Sequence, residues 1–252
     1  MSALLEARGL TKRFGGLTAV DGATLTVEAG TITALIGPNG AGKTTFFKML
    51  AGEIPPSEGD IVFKGERITG FGVARICRLG IGKSHQITQI FPNLSVKENV
   101  VIPALAARRG GFRADVFASV RRVGGLAELV THSLAEVGLT ERADVRAGEL
   151  AYGEKRRLEI GLALATQPEV LLLDEPAAGM SPSETAETVA LIQRLRATVT
   201  IVIVEHDMDV VFGLADHIMV MQNGTTIAYG TPQEIRGDAR VREAYLGGAD
   251  DL

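Results

Sequence analysis

The strongest indication of how this chain folds is a glycine-rich stretch, GPNGAGKTT, at residues 37–45. The apolar segment TITALI runs directly into it, and KTTFFKML, which has helical composition, overlaps its end. This order matches G-x-x-x-x-G-K-[ST] in its proper context and predicts a strand, a phosphate-binding loop and a helix. The alternative is a plain glycine-rich turn, which does not account for the strand, the Lys-Thr pair and the helix together. The sequence therefore predicts a nucleotide-binding fold.

Each part of this loop has a physical role in binding phosphate. Successive backbone N–H groups and the helix dipole attract phosphate oxygens, and the glycines let the backbone approach closely. Lys43 is predicted to reach the terminal phosphates, and the Thr44 hydroxyl to bind Mg²⁺. The candidate nucleotide-binding residues of the loop are Gly37, Pro38, Asn39, Gly40, Ala41, Gly42, Lys43, Thr44 and Thr45.

Composition argues against several other classes of protein. The 252 residues are 46% hydrophobic, which is enough for the core of one large α/β domain or two small ones. A net charge of −4 gives no basic footprint for nucleic acid. A single cysteine, Cys77, and a charged N-terminus favour a cytoplasmic protein. No run approaches the roughly 18 to 20 apolar residues that cross a bilayer, so a membrane role is expected only through a partner.

The order of patterns along the chain predicts an α/β fold with two parts. Short β-type segments fill the first thirty-odd residues, a helical pattern covers 96–150, and helices alternate with short apolar strands from there on. We expect a nucleotide-binding α/β core with a β subdomain, formed by residues 1–95 and 151–252. Residues 96–150 are expected to form a helical subdomain.

Two carboxylates follow the apolar segment VLLLD, which has the composition of a buried strand. Asp174 and Glu175 then lie at the carboxyl end of that strand, where α/β sheets hold their ligands. Asp174 is predicted to hold Mg²⁺ directly or through water, and Glu175 to polarise a water for attack on the γ-phosphate. The alternative for an acidic pair is a solvated strand end, but the phosphate loop upstream favours the functional interpretation.

A second glycine-punctuated helix start occurs in GELAYGEKRRLEI, residues 148–160. With these motifs in place, the chain resembles the ATP-binding subunits of ABC transporters over nearly its whole length. The resemblance implies a P-loop NTPase ABC ATPase fold with an N-terminal antiparallel β region, a RecA-like parallel-sheet core and a helical subdomain. It also implies a head-to-tail dimer, in which ATP lies between one chain's phosphate loop and the other's signature. The signature residues would be Leu150, Ala151, Tyr152, Gly153 and Glu154.

Three further positions match the family one by one. Gln86 resembles the glutamine that senses Mg²⁺ and the γ-phosphate next to the membrane subunits, with Gln89 as the competing candidate. His206 resembles the switch histidine that contacts the γ-phosphate. Phe14 falls where the family stacks an aromatic ring on adenine, the alternative being a core phenylalanine. The remaining histidines are interpreted as structural: His85, His132 and His217.

Two departures from the family pattern are expected to matter. Ala151 replaces the usual serine, so one hydroxyl contact to the partner's γ-phosphate is missing. Ser181 stands where the family often has an aspartate in the loop after the catalytic glutamate. These departures and the ending TPQEIRGDARVREAYLG resemble the subgroup that serves branched-chain amino acid importers, and the long helical stretch resembles the larger of that system's two ATP-binding subunits.

The resemblance implies an ATPase coupled to transport of branched-chain amino acids or related small polar solutes, with ATP and Mg²⁺ as cofactors. Its partners would be integral membrane permease subunits, a second ATP-binding subunit and, indirectly, an external solute-binding protein, with no nucleic acid. The chain would lie peripherally on the cytoplasmic face of the plasma membrane. Two alternatives remain: a soluble ABC-type ATPase acting on nucleic acid or ribosomes, and a self-contained P-loop kinase. The kinase would leave the signature and His206 without a function.

Overall fold

The computed structural model describes residues 3–84, 90–109 and 124–246. The chain divides into two compact units, residues 1–76 with 196–252 and residues 77–195. Within the described ranges, no helix is both long and apolar enough to cross a membrane.

An antiparallel sheet opens the first unit. Strands β1 (Ala3–Phe14) and β2 (Leu17–Glu28) form a long hairpin. The other two strands, β4 (Glu58–Phe63) and β5 (Glu66–Arg67), extend the sheet in the order β2-β1-β4-β5. Buried residues alternate along both hairpin strands, as expected for a sheet with one face on the core. This is the antiparallel region that the resemblance implied.

A mainly parallel group of strands lies in the same unit. Strand β3 (Ile32–Ile36) pairs in parallel with β8 (Thr200–Val204) and with β9 (His217–Gln222), while β10 (Thr225–Gly230) closes a hairpin with β9. Every residue of β3 and β8 is buried. Such continuous apolar runs are typical of parallel strands covered on both faces. The helices of this unit are α1 (Lys43–Leu50), α7 (Met208–Leu214), α8 (Pro232–Gly237) and α9 (Ala239–Leu246), and α2 (Val73–Leu79) begins in it.

The second unit combines a short parallel strand pair with helices. Strand β6 (Ile81–Lys83) pairs in parallel with β7 (Val170–Asp174), whose residues are all buried. Helices α3 (Val96–Arg109), α4 (Leu126–Glu136) and α5 (Tyr152–Leu164) pack against one another, and α6 (Pro182–Leu195) packs on α5. The helical pattern predicted after Val96 is therefore present in both described parts of that stretch.

Candidate functional site

The phosphate loop joins β3 to α1, as the sequence predicts. Gly37 has φ 150° and Gly42, which caps α1, has φ 97°. A Cβ atom at Gly37 would lie 2.2 Å from the Met221 carbonyl oxygen, and one at Gly42 would lie 2.5 Å from the Ala19 carbonyl oxygen. Both positions therefore need glycine for conformation and for space. The loop backbone is also held by a hydrogen bond from the Gly224 N–H to the Ala41 carbonyl, 3.1 Å.

Lys43 supplies the positive charge of the loop. Its side chain is only 9% exposed, and its ammonium donates to the carbonyl oxygens of Gly37 at 2.6 Å and Pro38 at 3.0 Å. The neighbouring Thr44 is exposed at the start of α1. The first turn of α1 thus presents backbone amides, a buried cation and an exposed hydroxyl, which together suit a phosphate and its metal ion.

His206 leaves the sheet at the same edge as the phosphate loop. Leu35 of β3 pairs with Val204 of β8 in parallel register, so the loop and His206 both follow the carboxyl ends of neighbouring strands. His206 is exposed, while the preceding Glu205 is 1% exposed and accepts its backbone N–H at 3.2 Å. The structure therefore brings the predicted phosphate loop and the predicted switch histidine to one edge.

Phe14 lies at the tip of the first hairpin, where it pairs with Leu17. Its ring is 49% exposed, and the ammonium of Lys12 lies 5.2 Å from the ring centroid. The alternative of a core phenylalanine is wrong. A few residues further along the hairpin, the Ala19 carbonyl oxygen would lie 2.5 Å from a Cβ atom at Gly42, so the hairpin backbone lies against the start of α1.

The acidic pair lies in the second unit, at the carboxyl end of β7. Asp174 is 5% exposed and Glu175 is half-buried with φ 48°. A left-handed conformation in a residue other than glycine costs about 1–3 kcal/mol and is concentrated at functional sites. The Ala178 N–H donates to the Glu175 carbonyl at 3.2 Å and closes the turn that follows. The turn thus fixes where the Glu175 backbone leaves the strand.

The signature residues form the start of α5 in the same unit. Leu150 is buried, Ala151 is the N-cap, and Tyr152 is 46% exposed. The Glu154 carboxylate accepts the Ala151 N–H at 3.0 Å and forms an ion pair with Arg142 at 3.0 Å. Because an alanine N-cap has no side-chain oxygen, it cannot accept a hydrogen bond from the amides of the first turn. The predicted second helix start is confirmed.

Two hydrogen bonds tie this helix start to the segment that follows Glu175. The Tyr152 hydroxyl donates to the Ala178 carbonyl at 3.0 Å, and the Gly153 N–H donates to Glu184 Oε1 at 3.2 Å. Glu184 Oε2 also accepts the Ser181 backbone N–H at 3.0 Å and the Ser181 hydroxyl at 2.7 Å. These bonds, chiefly those from the Ser181 N–H and hydroxyl, lower the pKa of Glu184.

Sequence reasoning missed Glu184 altogether and treated Ser181 only as a departure from the family. The letters SPSE contained the signal, because serine followed three residues later by glutamate is a capping box, here with proline at the first helical position. Ser181 therefore caps α6, which begins at Pro182. The Glu184 carboxylate also accepts a hydrogen bond from a second helix, α5, and this contact cannot be predicted from the local sequence.

The remaining predicted residues have varied outcomes. Gln86, its competitor Gln89 and His85 lie outside the described residues. His132 is exposed near Glu136, and His217 stacks on Tyr229 with ring centroids 5.8 Å apart, consistent with the structural roles expected for both.

Comparisons with known proteins agree with this geometry. The ABC transporter family matches residues 20–178, and a family of branched-chain amino acid ATP-binding cassette transporters matches residues 225–251. The chain is 44% identical to the high-affinity branched-chain amino acid transport ATP-binding protein BraF of Pseudomonas aeruginosa, and 41% identical to LivG of Escherichia coli K12, with 98% of each chain covered. The ADP conformation of MJ1267, an ATP-binding cassette of an ABC transporter, superposes with TM-score 0.85 at 31% identity, covering 98% of this chain and 100% of that one.

The chain therefore belongs to the ABC transporter family as one of its ATP-binding cassettes, the ATPases that are coupled to transport. Within that family it groups with the ATP-binding proteins of branched-chain amino acid transport. The resemblance on which the expectations rested is confirmed, and the self-contained kinase is set aside.

Proposed function

We propose that this chain is the ATP-hydrolysing motor subunit of an importer for branched-chain amino acids or related small polar solutes. The observation that carries the proposal is its similarity to BraF and LivG over 98% of each chain. The structure supports it with a phosphate loop bounded by two sterically required glycines, and with a signature helix whose first turn starts at Tyr152. ATP binding would close a dimer, and hydrolysis would reset it.

The proposed nucleotide site takes residues from two subunits paired head to tail. One chain contributes the phosphate loop, with Lys43 on the terminal phosphates, and the other contributes its signature residues. Phe14 would stack on adenine, a contact worth about 1–3 kcal/mol for a nucleobase, and its exposed ring is available for it.

Mg²⁺ fits the donors that this chain offers. Magnesium usually keeps several waters and binds one or two carboxylates together with substrate phosphates. In the described part of the chain no group of three or more His, Cys, Asp or Glu side chains forms an all-protein metal cage. We assign the metal to Asp174, the Thr44 hydroxyl and the family-matched Gln86, where it would neutralise charge on the phosphates.

The reaction proposed is attack of water on the γ-phosphate, giving ADP and phosphate. Glu175 would accept a proton from that water, while His206 contacts the γ-phosphate and Gln86 reports its presence to the membrane subunits. The strained backbone at Glu175 and the exposure of His206 support these roles.

The proposed assembly contains integral membrane permease subunits, a second ATP-binding subunit of the same or a related chain, and an external solute-binding protein. The chain would lie peripherally on the cytoplasmic face of the plasma membrane. Residues 96–150 would act as a helical subdomain leading into the signature, and residues 1–95 with 151–252 as the nucleotide-binding core.

The test is to tag the chain in its native cell, solubilise the membranes gently and identify the co-purifying proteins by mass spectrometry. Two integral membrane permeases and a second ATP-binding subunit are expected, and the ligand of the accompanying binding protein would name the solute. Recovery from the soluble fraction with ribosomes or DNA would contradict the transport proposal.

A further inference from the structure

A carboxylate of the same chain already occupies the Gly153 N–H, in the first turn of the signature helix. Glu184 Oε1 accepts this N–H at 3.2 Å, within the normal range for a hydrogen bond. A Cβ atom placed on Gly153 would lie 2.8 Å from the same oxygen, so the carboxylate covers the face that glycine leaves open. Gly153 is buried as a result.

The Glu184 carboxylate is held in place independently of Gly153. Its other oxygen, Oε2, accepts the N–H and the hydroxyl of Ser181, the residue that caps the same helix α6. The bonds that hold it also lower its pKa, so the group is ionised at neutral pH. The start of the signature helix therefore faces a full negative charge supplied by its own chain.

The N-cap of the signature helix adds to this effect. Ala151 offers no side-chain oxygen to the first-turn amides of α5, and Glu184, 31 residues after Gly153, accepts the Gly153 amide instead. A phosphate arriving at the same amide would meet the carboxylate at close range, where two negative charges repel each other. Phosphate and carboxylate therefore exclude each other at Gly153.

We infer that Glu184 is a built-in competitor for the signature, which occupies the Gly153 amide of its own chain and is displaced by the γ-phosphate of ATP bound to a partner subunit. This inference rests on the head-to-tail arrangement of the proposed function. On displacement Oε1 leaves Gly153, while Oε2 remains on Ser181 and α6 keeps its cap. Glu184 lines an open cleft of about 170 Å³, which gives the released carboxylate room.

Dimer closure then depends on the exchange of the Glu184 carboxylate for the partner's γ-phosphate at the Gly153 N–H. Closure must break the bond between Gly153 and Glu184, so it requires more ATP than it would without the carboxylate. Removal of the charge is therefore expected to make dimerisation easier, the opposite of what loss of a positioning contact would do.

The experiment uses the full chain carrying Glu175→Gln, which blocks hydrolysis, alone and mixed with the ATP-binding subunit recovered with it. The Mg-ATP concentration that gives half-maximal dimer is measured by sedimentation velocity, with and without Glu184→Gln. The control is Glu187→Gln, the same change on the same helix, at a carboxylate that pairs with Arg157 at 3.4 Å and is 58% exposed.

Glu184→Gln is expected to lower the half-maximal concentration about three- to tenfold, since a hydrogen-bonded charge no longer has to be displaced. Glu187→Gln is expected to stay within about twofold of the parent. Glu184→Asp, which keeps the charge but shortens the reach by one methylene, should also lower it. ATP binding to the isolated monomer should be the same in all variants.

The outcomes separate this inference from the proposed function. A parent that stays monomeric at saturating Mg-ATP would overturn the head-to-tail arrangement and the inference together. A parent that dimerises, with a Glu184→Gln midpoint that is unchanged or raised, would overturn the inference alone. An equal effect of Glu187→Gln would also overturn it, because general surface charge would then explain the shift.

Discussion

The two anion-directed helix starts of this chain are built in opposite ways. At α1 the bonded side chain is a cation, because the Lys43 ammonium lies on the carbonyl oxygens of Gly37 and Pro38. At α5 it is an anion, because Glu184 accepts the Gly153 amide. The first start holds a cation where a phosphate is expected to bind. The second must give up an internal ligand first, which suits a contact that should form only when a partner delivers ATP.

The largest effect is expected from substitution of Glu175, which should abolish ATP hydrolysis while nucleotide binding remains. Glu175→Gln is expected to lower the ATPase rate about 10²- to 10⁴-fold, the range for loss of a general base. Nucleotide binding should persist, because the phosphate loop is untouched. The control is Glu169→Gln, an exposed carboxylate just before the opposite end of β7. Equal loss of ATPase in both variants would show that the assignment of Glu175 is wrong.

The next largest effect is expected on ATP affinity when the Lys43 ammonium group is removed. Lys43→Ala should weaken ATP binding to the monomer about ten- to a hundredfold, since a hydrogen bond to a charged group contributes about 1.5–3 kcal/mol. Lys48→Ala removes an exposed lysine from the last turn of α1 and should leave the affinity for ATP nearly unchanged. Isothermal titration with ATP measures both. If Lys48→Ala weakened binding as much, helix charge rather than the loop would be responsible.

A smaller effect is expected from a substitution that gives the start of α5 the serine usual in the family. Ala151→Ser restores a hydroxyl at the N-cap of α5 and should stabilise the fold by about 0.5–2 kcal/mol. It should also lower the Mg-ATP needed for dimerisation of the hydrolysis-blocked chain. Thermal unfolding without nucleotide measures the first change, and sedimentation with Mg-ATP the second. A stability gain with no change in dimerisation would mean that the serine acts only as a cap.

The smallest expected effect is on the pH dependence of folding stability. The pKa of Glu184 is lowered in the folded chain, so its contribution to stability is present above its unfolded pKa of about 4.5 and is lost as the pH falls through the folded pKa. Wild-type protein should therefore lose more stability than Glu184→Gln between neutral and acid pH. Urea unfolding midpoints at the two pH values measure this, and parallel losses in both proteins would contradict it.

The difference between the two helix starts also explains what sequence could predict. The phosphate loop is a continuous stretch, and its glycines, lysine and flanking elements can be recognised from neighbouring letters alone. The strands β3, β7 and β8 were equally predictable, since each is a short apolar run in a parallel arrangement.

The bond between Gly153 and Glu184 could not be predicted in this way, because it joins residues on two helices that only the packing of α5 and α6 brings together. Helices α8 and α9 were not predicted either, although α8 carries a capping box from Thr231 to Glu234. For Phe14, the sequence predicted part of the outcome. The sequence left open whether its ring was buried, and the hairpin turn at Phe14 and Leu17 decided it.

The close approach of Gly37 to the Met221 carbonyl has a consequence for synthesis. The phosphate loop leaves the ribosome long before the strand that lies against it, β9, and before Gly224, which binds Ala41. A nascent chain therefore carries the complete glycine-rich motif long before it has the surface that holds that motif in shape. Nucleotide binding is expected to arise only after β9 and Gly224 have been made.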